Sequence, residues 1–326
     1  MRKNTEIILI ILILILAGLW RYIFWHPGVY GTDVLYHYTI TEQAIQQQRL
    51  SNDNNLALCY EGVKSGHPYG FYALPYFFGK IIGLDNAFII LPIMLSIISL
   101  VLAYIFIKQI FNRKVALLML FFSAVSLAHI SKSFPFSWRG ENLIYPFILL
   151  SLIFMQKCFS ERKNIFAIVS GIISGVTIWF WNGYPLVIAI YLMSICFFIM
   201  YKYVKKDHSL VEDINRVIVG VIAQAIVIGI LFFVIELWGK GLEFVKYYYA
   251  FIVICALVFL LALKKGYVNK SHKYVKVLAF GVIIISVIFF QKIKVLLGGF
   301  GSIKALNLLM MPELNRTQLS EYFFAF

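Results

Sequence analysis

Acidic side chains are scarce in this chain, with 15 Asp and Glu against 29 Lys and Arg in 326 residues. Charged residues of both signs reach only 13%, apolar ones 61%, and the mean hydropathy is +0.85. So little charge excludes a soluble globular domain, which must solvate its surface. Cysteine is equally sparse. Cys158, Cys196 and Cys255 lie in or beside apolar stretches and Cys59 stands apart, so neither a disulfide framework nor a zinc-type spacing exists. Gly298-Gly299-Phe300-Gly301 lacks the sequel of a phosphate loop. With no repeat of fixed period and no low-complexity linker, the sequence reads as one transmembrane domain over 1–326.

What the chain does have is apolar runs near bilayer-spanning length. They are Ile7–Phe24, Phe88–Ile110, Val115–Ile130, the short Leu143–Met155, Ile165–Trp181, Leu186–Met200, Val217–Leu237, Tyr248–Leu263 and Val277–Phe290, with Tyr72–Ile82 as a further short or re-entrant piece. The fold class is therefore an all-α integral membrane protein, a multi-span helical bundle of about nine or ten transmembrane helices. Met1-Arg2-Lys3-Asn4 opens the first run like a signal peptide. No small-residue cleavage site follows, only Trp20-Arg21, so the run reads as an uncleaved anchor.

Basic residues set the orientation. With the N-terminus inside, the inner segments hold Arg2 and Lys3; Arg113 and Lys114; Lys157, Arg162 and Lys163; Lys202, Lys205, Lys206 and Arg216; and Lys264, Lys265, Lys270, Lys273 and Lys276. The outer segments, longer in total, carry fewer, which satisfies the positive-inside rule. The net charge of +14 is thus mostly a topology signal. Nucleic-acid binding explains it worse, because the cations lie in short separate loops and form no patch. The expectation is a multi-pass cell-membrane protein with a cytoplasmic N-terminus and a long first external loop, about 26–70, whose segment from Thr41 begins an amphipathic helix. A last external segment covers about 291–326.

The polar residues able to do chemistry then fall on the outer side. They are Asp33, Tyr36 and His37; Gly66-His67-Pro68-Tyr69-Gly70; Lys132, Trp138, Arg139, Gly140, Glu141 and Asn142; Trp179, Trp181, Asn182, Gly183 and Tyr184; and Arg316, Thr317, Ser320 and Glu321. Singly, each has a plain structural explanation. Asp33 reads as a solvated helix-end acid, Glu141 beside Arg139 as an interfacial ion pair, and Trp179 and Trp181 as aromatic-belt residues. Together, carboxylates from separate loops offer hard oxygen ligands for Mg²⁺ or Mn²⁺. Such a cation neutralises a phosphate leaving group, and His or Arg grips the phosphate. On an outer membrane face the activated donor is a sugar on a polyprenyl phosphate, since nucleotide sugars are cytoplasmic.

Four of these stretches, in order, resemble the catalytic subunit of oligosaccharyltransferase, most closely the archaeal single-subunit enzymes of the GT-C membrane glycosyltransferase class. Gly31-Thr32-Asp33-Val34-Leu35-Tyr36-His37 is similar to the family's first-loop motif, and Gly66-His67-Pro68-Tyr69-Gly70-Phe71-Tyr72 to its Pro/Gly/Tyr stretch. Trp179-Phe180-Trp181-Asn182-Gly183-Tyr184 resembles the Trp-x-Gly-Tyr signature. Thr317-Gln318-Leu319-Ser320-Glu321 resembles the late external Thr-Ile-x-Glu motif, with Gln318 where the family has Thr.

The resemblance implies a GT-C bundle that transfers a glycan from a polyprenyl, dolichol-type lipid carrier to asparagine in an N-x-S/T sequon of an acceptor protein. It implies that Asp33 contacts both metal and acceptor amide, that Glu321 hydrogen-bonds the same amide, and that Glu141 is a metal ligand. His67 is implied for the donor phosphate, with His37, Arg139, Trp181 and Tyr184 as further substrate-binding candidates. The family's second external motif has two acids, or an acid and a His, where this chain has Arg139-Gly140-Glu141. Either Arg139 binds phosphate and Glu141 alone serves the metal, or the metal site is altered. The family continues into a soluble domain with a Trp-Trp-Asp-Tyr-Gly motif, and no such motif follows Glu321 here, so only the N-terminal transmembrane part is expected. Two other readings stand beside this one: a GT-C transferase that adds a single sugar, and a transporter or flippase of lipid-linked sugar. A transporter is expected to hide ionisable groups at mid-membrane. The apolar runs are nearly free of acids, with Gln224 a lone polar exception, which favours the enzyme.

Overall fold

The protein is described by a computed structural model over residues 3–23, 32–50, 53–54, 63–64, 69–130, 133–180, 184–238 and 243–268. Its helices are α1 (Lys3–Ile23), α2 (Thr32–Gln46), α3 (Tyr69–Ile82), α4 (Leu84–Ile110), α5 (Arg113–Val125), α6 (Leu127–Ile130), α7 (Gly140–Glu161), α8 (Asn164–Val176), α9 (Tyr184–Val204), α10 (Leu210–Trp238) and α11 (Glu243–Val268). A 3-10 turn, Thr177–Trp179, follows α8. Between α2 and α3 two short strands, β1 (Asp53–Asn54) and β2 (Val63–Lys64), pair antiparallel with Asp53 opposite Lys64. The chain divides into two compact units, Met1–Lys264 and Lys265–Phe326. The contacts described below lie in the first.

Apart from this two-stranded pair and the turns, the described residues are helical, and the fold is that of a helical membrane protein. Among the described residues four helices are long and apolar enough to cross a bilayer: Asn4–Ile23, Leu84–Ile110, Asn142–Glu161 and Leu210–Phe232. Their outward faces are apolar, as lipid requires. On α1 these are Ile7, Ile8, Ile11, Leu12, Ile15 and Leu19, all exposed.

Element boundaries differ from the sequence reading in informative places. The first loop is helical from Thr32, so α2 starts earlier than the amphipathic stretch at Thr41. The run Val115–Ile130 is broken at Ser126, whose extended backbone (ψ 122) separates α5 from α6. The short run Leu143–Met155 is the middle of the much longer α7, which continues through polar residues to a left-handed C-cap at Arg162 (φ 57), where the Arg162 N–H bonds the Cys158 carbonyl. The run Val277–Phe290 lies outside the described residues.

The spans also carry buried charge near their ends, which the apolar-run reading passed over. Glu6, 4% exposed, accepts from the Tyr104 hydroxyl and pairs with Lys108 at 2.5 Å and Arg113 at 3.3 Å, tying α1 to α4 and α5. Asp213 pairs with Lys202 at 2.5 Å and Arg216 at 2.8 Å, tying α10 to α9. Just outside these helices the Asp207 carboxyl is held below its usual range by the Ser209 backbone N–H and hydroxyl. Within the bundle, Gln224 donates to the Ser174 hydroxyl at 2.8 Å, and Ser151 and Ser170 bond each other. These bonds flank the α8–α10 seam, where a Cβ on Gly171 would lie 2.1 Å from the Gly220 carbonyl oxygen. Small residues let the two backbones touch.

Candidate functional site

The site is built on helix starts. Thr32 and Asp33 open α2, and Gly140 and Glu141 open α7. Each acid is thus the second residue of its helix, where the backbone N–H groups and the helix dipole favour negative charge by about 0.3–1 kcal/mol. Asp33 and Glu141 are placed by their backbone only.

One apolar cluster draws these starts together. It contains Val34, next to Asp33, and Leu143 and Ile144, just after Glu141, with Phe71, Tyr72, Phe88, Phe136 and Trp138. Trp138 is 1% exposed, and its ring lies 5.6 Å from Phe71 and 6.4 Å from Phe88. The backbone N–H of Phe136 bonds the Phe88 carbonyl at 2.8 Å, and Phe136 holds a left-handed φ of 61. This strained turn aims Trp138 inward and leads directly into Arg139 and α7. Arg139 is half-buried at the N-cap position, with extended backbone and no side-chain capping bond. Asn142 reaches back to the Ser137 carbonyl at 2.8 Å and closes the turn.

His37 lies one turn along α2 from Asp33. It is 5% exposed, bonds the Tyr72 hydroxyl through Nδ1 at 3.0 Å, and packs 4.6 Å from the Phe71 ring. In the described structure it therefore joins α2 to α3. Phe180, just before Trp181, packs on the same cluster. A second close approach brings in the third stretch: a Cβ on Gly70 would sit 2.4 Å from the Trp179 carbonyl oxygen. Only glycine fits there. Gly70→Ala is expected to push α3 from the Trp179 turn and lower the thermal midpoint of the purified protein, with a cost of about 1–3 kcal/mol for overpacking.

So the elements that carry Asp33, His37, Arg139 and Glu141, and the turn before Trp181, share one core. Tyr184 starts α9 and is placed by its backbone only. His67, Trp181 and Glu321 lie outside the described residues. Among the described residues no group of three or more His, Cys, Asp or Glu side chains is placed to hold a metal. The donor chemistry that Asp33 and Glu141 supply is two carboxylates, which suits a hard divalent cation such as Mg²⁺ or Mn²⁺.

A further group had no motif to mark it. Arg21, at the end of α1, is fully buried. Its Nε donates to Ser133 Oγ at 2.8 Å, one terminal nitrogen bonds the Ala17 and Ala124 carbonyls at 2.7 and 3.4 Å, and the other meets His129 Nδ1 at 2.5 Å. A guanidinium at the edge of an apolar run was the available signal, because such a charge is kept in a membrane only with partners. Apart from the Ala17 carbonyl one turn back, its partners lie more than one hundred residues away in sequence, which no local pattern reveals.

No family model matches the chain. The dolichyl-phosphooligosaccharide-protein glycotransferase 2 of Pyrococcus furiosus is 25% identical over 307 residues, which cover 84% of this chain. The chain is related to the archaeal oligosaccharyltransferases. It spans 41% of the length of that relative, and 30% of the corresponding Pyrococcus horikoshii protein, with which it shares 24% identity over 66% of its own length. The fold agrees with that of the Archaeoglobus fulgidus oligosaccharyltransferase. The structure of that enzyme tethered to an acceptor peptide with an NVT sequon superposes with a TM-score of 0.64 at 12% identity, covering 90% of this chain and 38% of that one. Its complex with an inhibitory peptide and a dolichol-phosphate gives 0.62 at 14% identity, covering 95% and 40%. Another structure of the same enzyme holds Zn and sulfate, at a TM-score of 0.61 and 14% identity, covering 88% and 40%. The four motif stretches of the sequence thus lie in a chain that shares both descent and fold with oligosaccharyltransferases.

Proposed function

We propose that this protein is a membrane glycosyltransferase of the oligosaccharyltransferase type, which transfers a glycan from a polyprenyl phosphate or pyrophosphate carrier to the side-chain amide of asparagine in a sequon. The observation that carries this reading is the sharing of one apolar core by the two helix starts that bear Asp33 and Glu141. Kinship to archaeal glycotransferases over 84% of the chain supports it.

In this reading the bundle has about nine or ten spans, the N-terminus is cytoplasmic, and the site faces the outside. Asp33 and Glu321 accept hydrogen bonds from the two N–H groups of the acceptor amide. Two acceptors on one NH₂ oppose its conjugation with the carbonyl and leave the nitrogen lone pair free to attack. The nitrogen bonds the sugar's anomeric carbon as the bond to the carrier's phosphate oxygen breaks, and the proton that the nitrogen sheds passes to a carboxylate holding it or to the departing phosphate. Asp33 and Glu141 would hold Mn²⁺ or Mg²⁺, which supplies charge neutralisation for the departing phosphate. Arg139, at the start of α7, and His67 grip that phosphate, and Trp181 and Tyr184 line the sugar or the prenyl chain.

Membranes that contain the protein, given lipid-linked glycan, Mn²⁺ and a fluorescent sequon peptide, are expected to yield glycopeptide on a gel. EDTA is expected to stop it and added Mn²⁺ to restore it. Transfer that persists in EDTA overturns the metal assignment. Neither glycopeptide nor glycan released from the carrier, with Mn²⁺ present, overturns the transferase reading.

A further inference from the structure

We infer that Arg21 is a positioning residue for the α7 helix start, acting through His129 and Ser133. The functional half of this inference rests on the transferase reading above.

The geometry is a four-point clamp. Arg21 belongs to α1, yet its guanidinium bonds the end of α5 at Ala124, α6 at His129, and the following turn at Ser133. The Ser133 hydroxyl in turn donates to the His129 carbonyl at 2.6 Å. Among the described side chains no carboxylate pairs with Arg21, and the acceptors that it meets there are neutral. A guanidinium carries only donors. His129 Nδ1 is therefore an acceptor, and the ring is the neutral tautomer with its proton on Nε2. Arginine, rather than lysine, is required, because only a planar fork can reach Ser133, two carbonyls and an imidazole at once.

What the clamp holds is the path into the site. From Ser133 the chain runs through the strained Phe136 turn and buried Trp138 to Arg139, Gly140 and Glu141. Ser133 and His129 also line a water-sized cavity of about 10 Å³ with Asn142 and Tyr145 of α7 and Ser96 and Ser99 of α4. The fixed end of α1 and the start of α7 thus face one small polar cavity, and the turn that leaves Ser133 is closed onto α7 by the Asn142 bond to the Ser137 carbonyl. Release of Arg21 frees the turn that sets where Arg139 and Glu141 stand.

The test contrasts His129→Gln, whose amide oxygen still accepts from Arg21, with His129→Leu, which cannot accept, and adds Arg21→Met. Ser137→Cys, at a buried position in the turn, reports opening through maleimide labelling read by peptide mass spectrometry in the whole protein. Labelling is expected to be slow in the parent and in His129→Gln. It should be roughly tenfold or more faster in His129→Leu and Arg21→Met, as befits the loss of a buried charged hydrogen bond. In the transfer assay the Mn²⁺ concentration for half-maximal rate is expected to rise in His129→Leu but not in His129→Gln, with the KM for peptide unchanged. A mere loss of folded protein lowers the rate without moving that concentration. Equal labelling in all four proteins overturns the clamp. Faster labelling with an unmoved Mn²⁺ titration overturns its role at the site. A parent without transfer overturns the transferase reading, and labelling still decides whether the clamp exists.

Discussion

Asp33→Asn is expected to abolish glycan transfer while leaving the protein folded. Asn keeps the volume and one acceptor oxygen but removes the charge. If Asp33 both binds the cation and accepts from the substrate amide, transfer falls by about 10²–10⁴-fold, the usual range for loss of a group that works in the transition state. The competing explanation is a carboxylate that merely complements the α2 dipole. That role is worth about 0.3–1 kcal/mol of stability and nothing in rate. The two separate cleanly, since the first predicts a lost rate at an unchanged thermal midpoint and the second a slightly lower midpoint at an unchanged rate. Asp33→Glu sharpens the contrast, because charge returns but is displaced by a methylene, and partial activity that requires more Mn²⁺ is expected. Glu42→Gln, an exposed acid on the same helix, serves as the control without effect.

Gly171→Ala is expected to be the most damaging conservative change in the bundle. The added methyl would stand 2.1 Å from the Gly220 carbonyl oxygen and 3.0 Å from the Gln224 backbone nitrogen. No rotamer change relieves a clash with backbone, so α8 and α10 must separate. Separation also strains the Gln224 bond to Ser174 and loosens the contact of Gly175 with Val227. Overpacking of this kind costs about 1–3 kcal/mol and occasionally more. Thermal denaturation in detergent, followed by fluorescence-detected size exclusion, checks it. Gly229→Ala on α10 is the internal control, with nothing within 4 Å of the added methyl. There the change should be neutral or slightly stabilising, since Ala is the better helix former by up to about 1 kcal/mol. Equal sensitivity at both glycines would show that the seam does not hold the bundle.

The helical, membrane-spanning character of the longest runs was legible because a bilayer imposes one rule on long apolar runs. Ile7–Phe24 and Phe88–Ile110 match α1 and α4 within a few residues. The run ending at Ile130 was misread as continuous because hydropathy does not register a single extended residue such as Ser126. The run at Leu143 was read too short because Glu141, Asn142, Gln156 and Lys157 are polar, yet α7 continues through them, with Asn142 buried and bonded to the Ser137 carbonyl. In the site, Asp33 and Glu141 were legible as motif members, whereas their common core was not. That core depends on Phe88 and Trp138 meeting across a long separation in sequence. The Arg21 clamp was illegible for the same reason. An isolated Arg declares a need for partners without naming them.

Glu6 and Arg21 have a consequence for the lipid around the protein. Both are buried and bonded to neighbouring helices, one at each end of α1, and the helix between them spans roughly 22 Å. A span free at one end meets a thicker or thinner bilayer by tilting or sliding. With both ends pinned by polar bonds, α1 can do neither without breaking one of them. Adjustment to thickness is then expected to fall to the lipid around α1 rather than to the helix.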